Sequence, residues 1–150
     1  MNLAPHIMIV EARYYPHISD ELLKGAMAAL AEAGATCEKI SVPGALEIPA
    51  AIGFAARGHG AAKFDGFLAL GCVIRGETTH YDYVCGESAR GLQHLALTYG
   101  LAIGFGILTV ENEAQARARA DVAGKNKGGE AARACLAMIA LKRRFGGERR

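Results

Sequence analysis

The segment Gly71–Ser88, GCVIRGETTHYDYVCGES, changes from apolar to polar at its middle, where an apolar run ends at Ile74 and RGETTH follows. If a helix begins near His80, its free backbone N–H groups and its dipole would attract an anion such as phosphate. Gly76 would permit close approach, and Thr78 would offer a hydroxyl. His80 would stand beside the anion, and histidine is the side chain best suited to move protons near neutral pH. The pattern predicts a phosphate site with a proton-transfer histidine.

The same residues also have a purely structural interpretation. Thr79 and Asp82 have the spacing of a capping box, in which two side chains satisfy the free N–H groups of a helix start. A single histidine is more often an ordinary surface or core residue than a catalyst. The local sequence alone therefore leaves both interpretations open.

The composition describes a chain that can build one hydrophobic core. Its 150 residues are 51% hydrophobic and 21% charged, with a formal net charge of +2. This length fits a single domain, which we assign to residues 1–150. The small net charge argues against a nucleic-acid partner, because such proteins concentrate basic residues on one surface.

Cysteine spacing and hydropathy indicate the compartment. The four cysteines, Cys37, Cys72, Cys85 and Cys135, form no CxxC pair, so we expect reduced thiols and no metal site. The N-terminus lacks a basic segment followed by a long apolar one, and no apolar run approaches the roughly 18 residues of a membrane span. We therefore expect a cytoplasmic protein without a membrane partner.

Short apolar runs alternate with longer segments of helical period. Buried strands are predicted at 6–12, 36–42, 64–74 and 101–110. Helices are predicted after a Ser19 cap as far as Gly34, from Glu47 to Arg57, from His80 to Gly100, after an Asn112 cap, and along the stripe Ala131, Cys135, Met138, Leu141 and Phe145, with residues 142–150 as a solvated helix end. This order predicts a mostly parallel sheet covered on both faces, with ligands at the carboxyl ends of the strands.

Two other glycine-containing segments fail as nucleotide-binding motifs. GKNKGG (124–129) lacks the spacing and the Ser or Thr of a P-loop, and GFGILT (104–109) lacks the third glycine of a dinucleotide fingerprint. The sequence therefore gives no reason to expect a cofactor.

Four segments in order along the chain resemble the motifs of the lumazine synthase family: VPGALEIP (42–49), ALGCVIRGETTHYDYV (69–84), FGILTVENEAQARARA (105–120) and NKGGEAA (126–132). The resemblance implies a flavodoxin-like α/β three-layer sandwich, with four parallel strands in the order 2-1-3-4 and helices on both faces. It also implies a transferase of riboflavin biosynthesis without metal or redox cofactor. That enzyme condenses 5-amino-6-(D-ribitylamino)uracil with 3,4-dihydroxy-2-butanone 4-phosphate, giving 6,7-dimethyl-8-ribityllumazine, phosphate and water.

The resemblance also implies roles for individual residues. His80 matches the proton-transfer histidine. The residues matching the pyrimidine and ribityl site are Tyr14, Ala45, Leu46, Glu47, Cys72, Val73, Ile74 and Phe105. Those matching the phosphate site are Glu77, Thr78 and Arg119, with Lys127 and Glu130 nearby. In the family Phe105 and Arg119 come from the neighbouring subunit, which implies a homopentamer with active sites at its interfaces. Riboflavin synthase is a further partner that the resemblance suggests.

Three positions depart from the family pattern. Leu46 replaces the usual aromatic residue, Glu77 replaces a small one, and Thr79 replaces proline. A carboxylate at Glu77 would weaken phosphate binding unless it points away or pairs with Arg75 or a lysine. The segment 121–129 also differs from that of shell-forming relatives, which leaves a shell of pentamers open but does not affect the pentamer.

Two functions of other classes compete with this one. A cysteine hydrolase could use Cys72 or Cys85 as nucleophile with His80 as base, although Cys72 lies in an apolar strand end and no orienting acid is identified. The stronger alternative is a non-catalytic module, either receiver-like or a family relative that binds lumazine or flavin. A receiver would need an aspartate closing the third strand, where this chain has Ile74 and Arg75. Mixing the protein with both substrates would separate these functions.

Overall fold

The computed structural model describes residues 3–58 and 63–146. Its strands are β1 (His6–Ala12), β2 (Thr36–Val42), β3 (Gly66–Ile74) and β4 (Ile103–Val110). Its helices are α1 (Pro16–Glu32), α2 (Ile48–Arg57), α3 (His80–Tyr99), α4 (Glu113–Ala120) and α5 (Lys127–Gly146), and a 3-10 turn at Ala45–Glu47 precedes α2. Within the described ranges, no helix combines the length and the apolar character needed to cross a bilayer.

The four strands form one parallel sheet in the order β2-β1-β3-β4. Val10 lies opposite Ile40 on one side and Ala69 on the other, and Leu70 of β3 lies opposite Gly106. The predicted strand order 2-1-3-4 is confirmed. Because all strands run in the same direction, the loops that follow them meet at one edge of the sheet.

Helices cover both faces of the sheet. On one face Ile9 and Leu68 are buried against α1 and α5, and on the other Val10 and Ala69 are buried against α2 and α3. A smaller cluster joins α4 and α1 with the end of β3 at Cys72. The α/β three-layer sandwich is therefore confirmed.

The start of α1 was predicted four residues too late, because Ser19 was predicted as the N-cap and Tyr15 takes that position. Ser19 is buried inside the helix, and its hydroxyl donates to the Ala12 carbonyl at 3.4 Å. The helix begins instead at Pro16, because the fixed φ and missing N–H of proline suit a first helical turn. At the other end Gly34 has φ 71°, which confirms its prediction as the end of this helix.

Two elements expose more apolar surface than predicted. β2 is an edge strand and is largely exposed, including Ile40, although the sequence predicted a buried strand. On α5 the predicted stripe divides: Cys135 is buried, whereas Met138 and Phe145 are exposed and Ile139 takes the core position. The predicted solvated end of this helix lies partly outside the described residues, because α5 is described only to Gly146.

Candidate active site

A pocket of about 460 Å³ opens at the edge of the sheet where the strands end. Its walls come from the loops after β1 and β2, the last residues of β3, and the start of α3. The lining residues are Tyr14, Tyr15, Pro43, Gly44, Ala45, Leu46, Glu47, Cys72, Val73, Ile74, Gly76, Thr78, His80, Tyr81 and Val84. Segments far apart in sequence therefore meet where parallel sheets bind ligands.

Most of the side chains predicted for the substrates line this one pocket. They are Tyr14, Ala45, Leu46, Glu47, Cys72, Val73, Ile74, Thr78 and His80. Tyr15 and Tyr81 line it as well, although the sequence did not identify them as site residues. In the sequence, the only indication that Tyr15 and Tyr81 line the pocket is that they directly follow Tyr14 and His80.

An aromatic pair stands at one side of the pocket. Tyr14 is exposed, and its ring centroid lies 5.0 Å from that of Tyr15 in an edge-to-face arrangement. Tyr15 is partly buried, and this burial raises its pKa, with Cys72 and Tyr14 adding to the effect. The exposed Tyr14 ring is therefore available to stack on a planar ligand ring, while its contact with Tyr15 restricts its position.

The 3-10 turn supplies another part of the wall. Ala45 is buried under the turn, whereas Leu46 and Glu47 are exposed and line the pocket. The turn is closed by the Glu47 N–H, which donates to the Gly44 carbonyl at 3.2 Å. A carboxylate and an apolar side chain thus project from one rigid turn, a combination that suits a ligand with hydroxyl groups and a ring.

The segment between β3 and α3 carries Thr78 and His80 into the pocket. His80 is the first residue of α3, and its N–H donates to the Thr78 hydroxyl at 3.3 Å. The predicted capping box is wrong, because Thr79 already has a helical backbone and its side chain makes no capping bond. Asp82 pairs instead with Arg75, at 3.6 Å.

Glu77 is the residue that departs from the family pattern beside the predicted phosphate site. It is exposed and is not among the residues that line the pocket. The pairing with Arg75 that the sequence left open does not occur, since that guanidinium binds Glu111 and Asp82. Within residues 3–58 and 63–146, no Lys or Arg forms an ion pair with Glu77.

The remaining predicted residues meet on a second surface, along β4. Phe105, Arg119, Lys127 and Glu130 all line a cavity of about 340 Å³, which shares no lining residue with the first pocket. Asn112 caps α4 as predicted, with its side chain accepting from the Gln115 N–H at 2.9 Å. This cap fixes the helix that carries Arg119.

Of the two cations that line this second surface, Arg119 is the one without an ion pair among the described residues. It is half-buried, and its Nη1 donates to the Gln115 carbonyl at 3.1 Å. Lys127, in contrast, forms an ion pair with Glu130 at 3.0 Å. Among the described carboxylates, none forms an ion pair with Arg119, so its charge is available to an anion.

The thiol groups do not suit nucleophilic catalysis. Burial raises the pKa of Cys72 to about 12, and burial is also the main reason that the pKa of Cys85 is raised. Because the thiolate is the reactive form, both groups are protonated and unreactive near neutral pH. This finding argues against the cysteine hydrolase.

Comparison with known proteins decides the family. The family model described as 6,7-dimethyl-8-ribityllumazine synthase matches residues 4–143. A 6,7-dimethyl-8-ribityllumazine synthase of Bartonella tribocorum is 58% identical over 149 residues, which cover 99% of this chain and 97% of the relative. That of Agrobacterium fabrum is 58% identical over 145 residues, covering 95% and 98%. The chain belongs to the 6,7-dimethyl-8-ribityllumazine synthase family.

Membership in the lumazine synthase family confirms the resemblance drawn from the four sequence motifs. Full-length relatives at this identity also support the reading of the chain as an enzyme, a transferase of riboflavin biosynthesis. The roles of individual residues are a separate matter, since they depend on how the substrates occupy the two surfaces.

Proposed function

We propose that this protein condenses 5-amino-6-(D-ribitylamino)uracil with 3,4-dihydroxy-2-butanone 4-phosphate to form 6,7-dimethyl-8-ribityllumazine. The observation that carries the proposal is the family match along nearly the whole chain. A pocket that gathers ring-stacking, carboxylate, hydroxyl and imidazole groups at the carboxyl edge of the sheet supports it.

The pyrimidine would lie between the aromatic pair and the 3-10 turn. The ring would stack on Tyr14, and the ribityl hydroxyls would bind Glu47 and the backbone of Ala45 and Leu46. The last residues of β3, from Cys72 to Ile74, would close the pocket beneath the ring. These groups carry no positive charge, in keeping with a substrate that lacks phosphate.

The second substrate would place its phosphate at the start of α3. There Thr78 and the free N–H groups of the helix would bind the anion, and Arg119 of a neighbouring subunit would add a positive charge. The amine of the pyrimidine condenses with the ketone, phosphate leaves, and a second condensation closes the ring. His80 would relay the protons, and most of the rate would come from holding two substrates in register.

A homopentamer would bring the two surfaces together. Phe105 and Arg119 do not reach the first pocket within one chain, because their cavity shares none of its lining residues. Exposed apolar side chains, among them Phe105 and Met138, form a surface that a second subunit can cover. We propose a cytoplasmic ring whose product would pass to riboflavin synthase.

A direct assay tests this function. The purified protein is mixed with both substrates, and lumazine absorbance and released phosphate are recorded together; we expect equal amounts of each. Omitting either substrate should abolish both signals. Binding of the pyrimidine without formation of lumazine would instead support a non-catalytic relative. The observation that favours this alternative is the Glu77 carboxylate, which has no ion-pair partner among the described residues and lies next to Thr78, where the phosphate is proposed to bind.

A further inference from the structure

Arg75 makes an unusual set of contacts at the end of β3. Its N–H donates to the Val110 carbonyl at 2.9 Å, which continues the pairing of β3 with β4. Its Nε donates to Glu111 at 2.8 Å, and Nη1 lies 3.6 Å from Asp82. The guanidinium carbon also lies 4.2 Å from the centroid of the Tyr81 ring. One side chain therefore contacts three others by different parts of the same planar group.

These contacts join two elements of one chain, one that carries His80 and one that leads to Arg119, and the proposed ring assigns these two residues to different active sites. Tyr81 and Asp82 are the second and third residues of α3, directly after His80. Glu111 lies between β4 and α4, next to the Asn112 cap of the helix that carries Arg119. The guanidinium is thus a bridge between the His80 turn and the end of β4.

The start of α3 is exposed as far as His80, and packing begins at the half-buried Tyr81, which the Arg75 guanidinium covers. Thr79 makes no side-chain capping bond, and residues 75–80 are all exposed. A Cβ at Gly76 would meet nothing within 4 Å, so this turn is not held by close packing at that point. A helix start without a cap depends on whatever side chains anchor its first turn.

We propose that Arg75 is a positioning residue that holds the first turn of α3, and with it His80, in the geometry for proton transfer. The inference rests on the proposed function, since it assigns Arg75 to that reaction. Arg75 acts through Tyr81, Asp82 and Glu111 and does not touch substrate. Because exposed ion pairs contribute little to global stability, its loss displaces the turn without unfolding the protein.

The kinetic test is Arg75→Met, which keeps the length of the side chain and removes its charge and donors. We expect kcat to fall about 10-fold to 100-fold while both KM values change little, because small displacements of a catalytic group are costly. The matched control is Arg90→Met, which removes a guanidinium on α3 that pairs with Glu87 at 2.6 Å and does not line the pocket. It should retain the kcat of the unmodified protein.

Two double variants test whether Arg75 acts through the named partners. Glu111→Gln should lower kcat less than Arg75→Met, and combining the two should cost no more than Arg75→Met alone. In a His80→Ala background, Arg75→Met should have almost no further effect. Full additivity in both combinations would overturn the inference. So would an Arg75→Met enzyme whose kcat is unchanged, or one that loses only affinity for the phosphorylated substrate, because Arg75 would then bind phosphate itself.

A structural readout separates this inference from the proposed function. Amide hydrogen exchange in residues 80–83 should be faster in Arg75→Met than in the unmodified protein, and unchanged in Arg90→Met. This measurement needs no activity. If the unmodified protein forms no lumazine, the proposed function fails while the exchange result still decides whether Arg75 anchors the turn. Unchanged exchange in Arg75→Met would overturn the anchoring.

Discussion

His80 stands at the junction of the turn and the helix, with its backbone bound to Thr78 and its side chain at the pocket. We expect His80→Ala to lower kcat by about 10²-fold or less, the usual contribution of a proton-transfer group. Binding of the pyrimidine should stay nearly intact, because the pyrimidine is expected to contact Tyr14 and Glu47. Steady-state kinetics and pyrimidine titration measure the two effects separately.

The matched control for this variant is His94→Ala, on the same helix. His94 is exposed, contacts Thr98 and lines neither the pocket nor the second surface. It should leave kcat unchanged. Equal turnover of His80→Ala and the unmodified protein at saturating substrate, from about pH 6 to 8, would contradict proton transfer by His80.

Arg119 is expected to bind the only anion among the two substrates. Arg119→Ser should therefore raise KM for the butanone phosphate much more than KM for the pyrimidine, since a charge-assisted contact is lost for one substrate only. Arg117→Ser is the control, because Arg117 lies on the same helix, is exposed and pairs with Glu113. Equal increases in both KM values for Arg119→Ser would indicate a structural role.

The sequence predicted pocket-lining residues that stand in contiguous motifs, such as Thr78 with His80 and Ala45 with Glu47. It could not predict the contact between Arg75 and Glu111, because 36 positions separate them and only the pairing of β3 with β4 brings them together. It also suggested a side-chain capping bond at Thr79, which that residue does not make although it stands at the N-cap position. The spacing of a capping box does not reveal whether the first residue has an extended backbone, which side-chain capping requires.

At the scale of elements, α1 and α5 approach each other closely at Gly128. A Cβ at that position would overlap the Leu22 backbone, which cannot move aside as a flexible side chain would. We expect Gly128→Ala to lower the free energy of unfolding by about 1–3 kcal/mol, the range for overpacking a core. Denaturant unfolding at one fixed protein concentration measures it, since association would otherwise shift the transition.

Gly146→Ala is the matched control in the same helix. A Cβ there would meet nothing within 4 Å, so the substitution should be neutral or slightly stabilising. A Gly128→Ala protein as stable as the unmodified one would show that α1 and α5 can separate without cost.

Element types and order were predictable because hydrophobic period separates strands from helices, as it does for β1 and α3. Burial was harder to predict. The run TCEKISV indicates a strand, but its position at the edge of the sheet depends on the pairing of β1 with both β2 and β3. The apolar stripe of α5 likewise does not reveal that Cys135 faces the core while Met138 and Phe145 face outward.

At the scale of the whole molecule, each chain carries two different surfaces that the proposed reaction needs together. The first holds His80, and the second holds Arg119 beside the exposed Phe105. The proposed head-to-tail ring would set the second surface of each subunit against the first surface of the next, so that every interface would form one complete site. Neither surface alone would bind both substrates and relay protons.

Mixing two impaired variants, assayed at a butanone phosphate concentration at which each alone is slow, tests this arrangement. His80→Ala and Arg119→Ser proteins are dissociated, combined in equal amounts and reassembled, and lumazine formation is compared with each variant treated alone. If every site takes His80 from one subunit and Arg119 from its neighbour, random assembly leaves about one quarter of the interfaces with both residues intact. We therefore expect recovery towards a quarter of the unmodified activity. No recovery, with subunit exchange verified by mass spectrometry of differently labelled chains, would place both residues in one chain's own site.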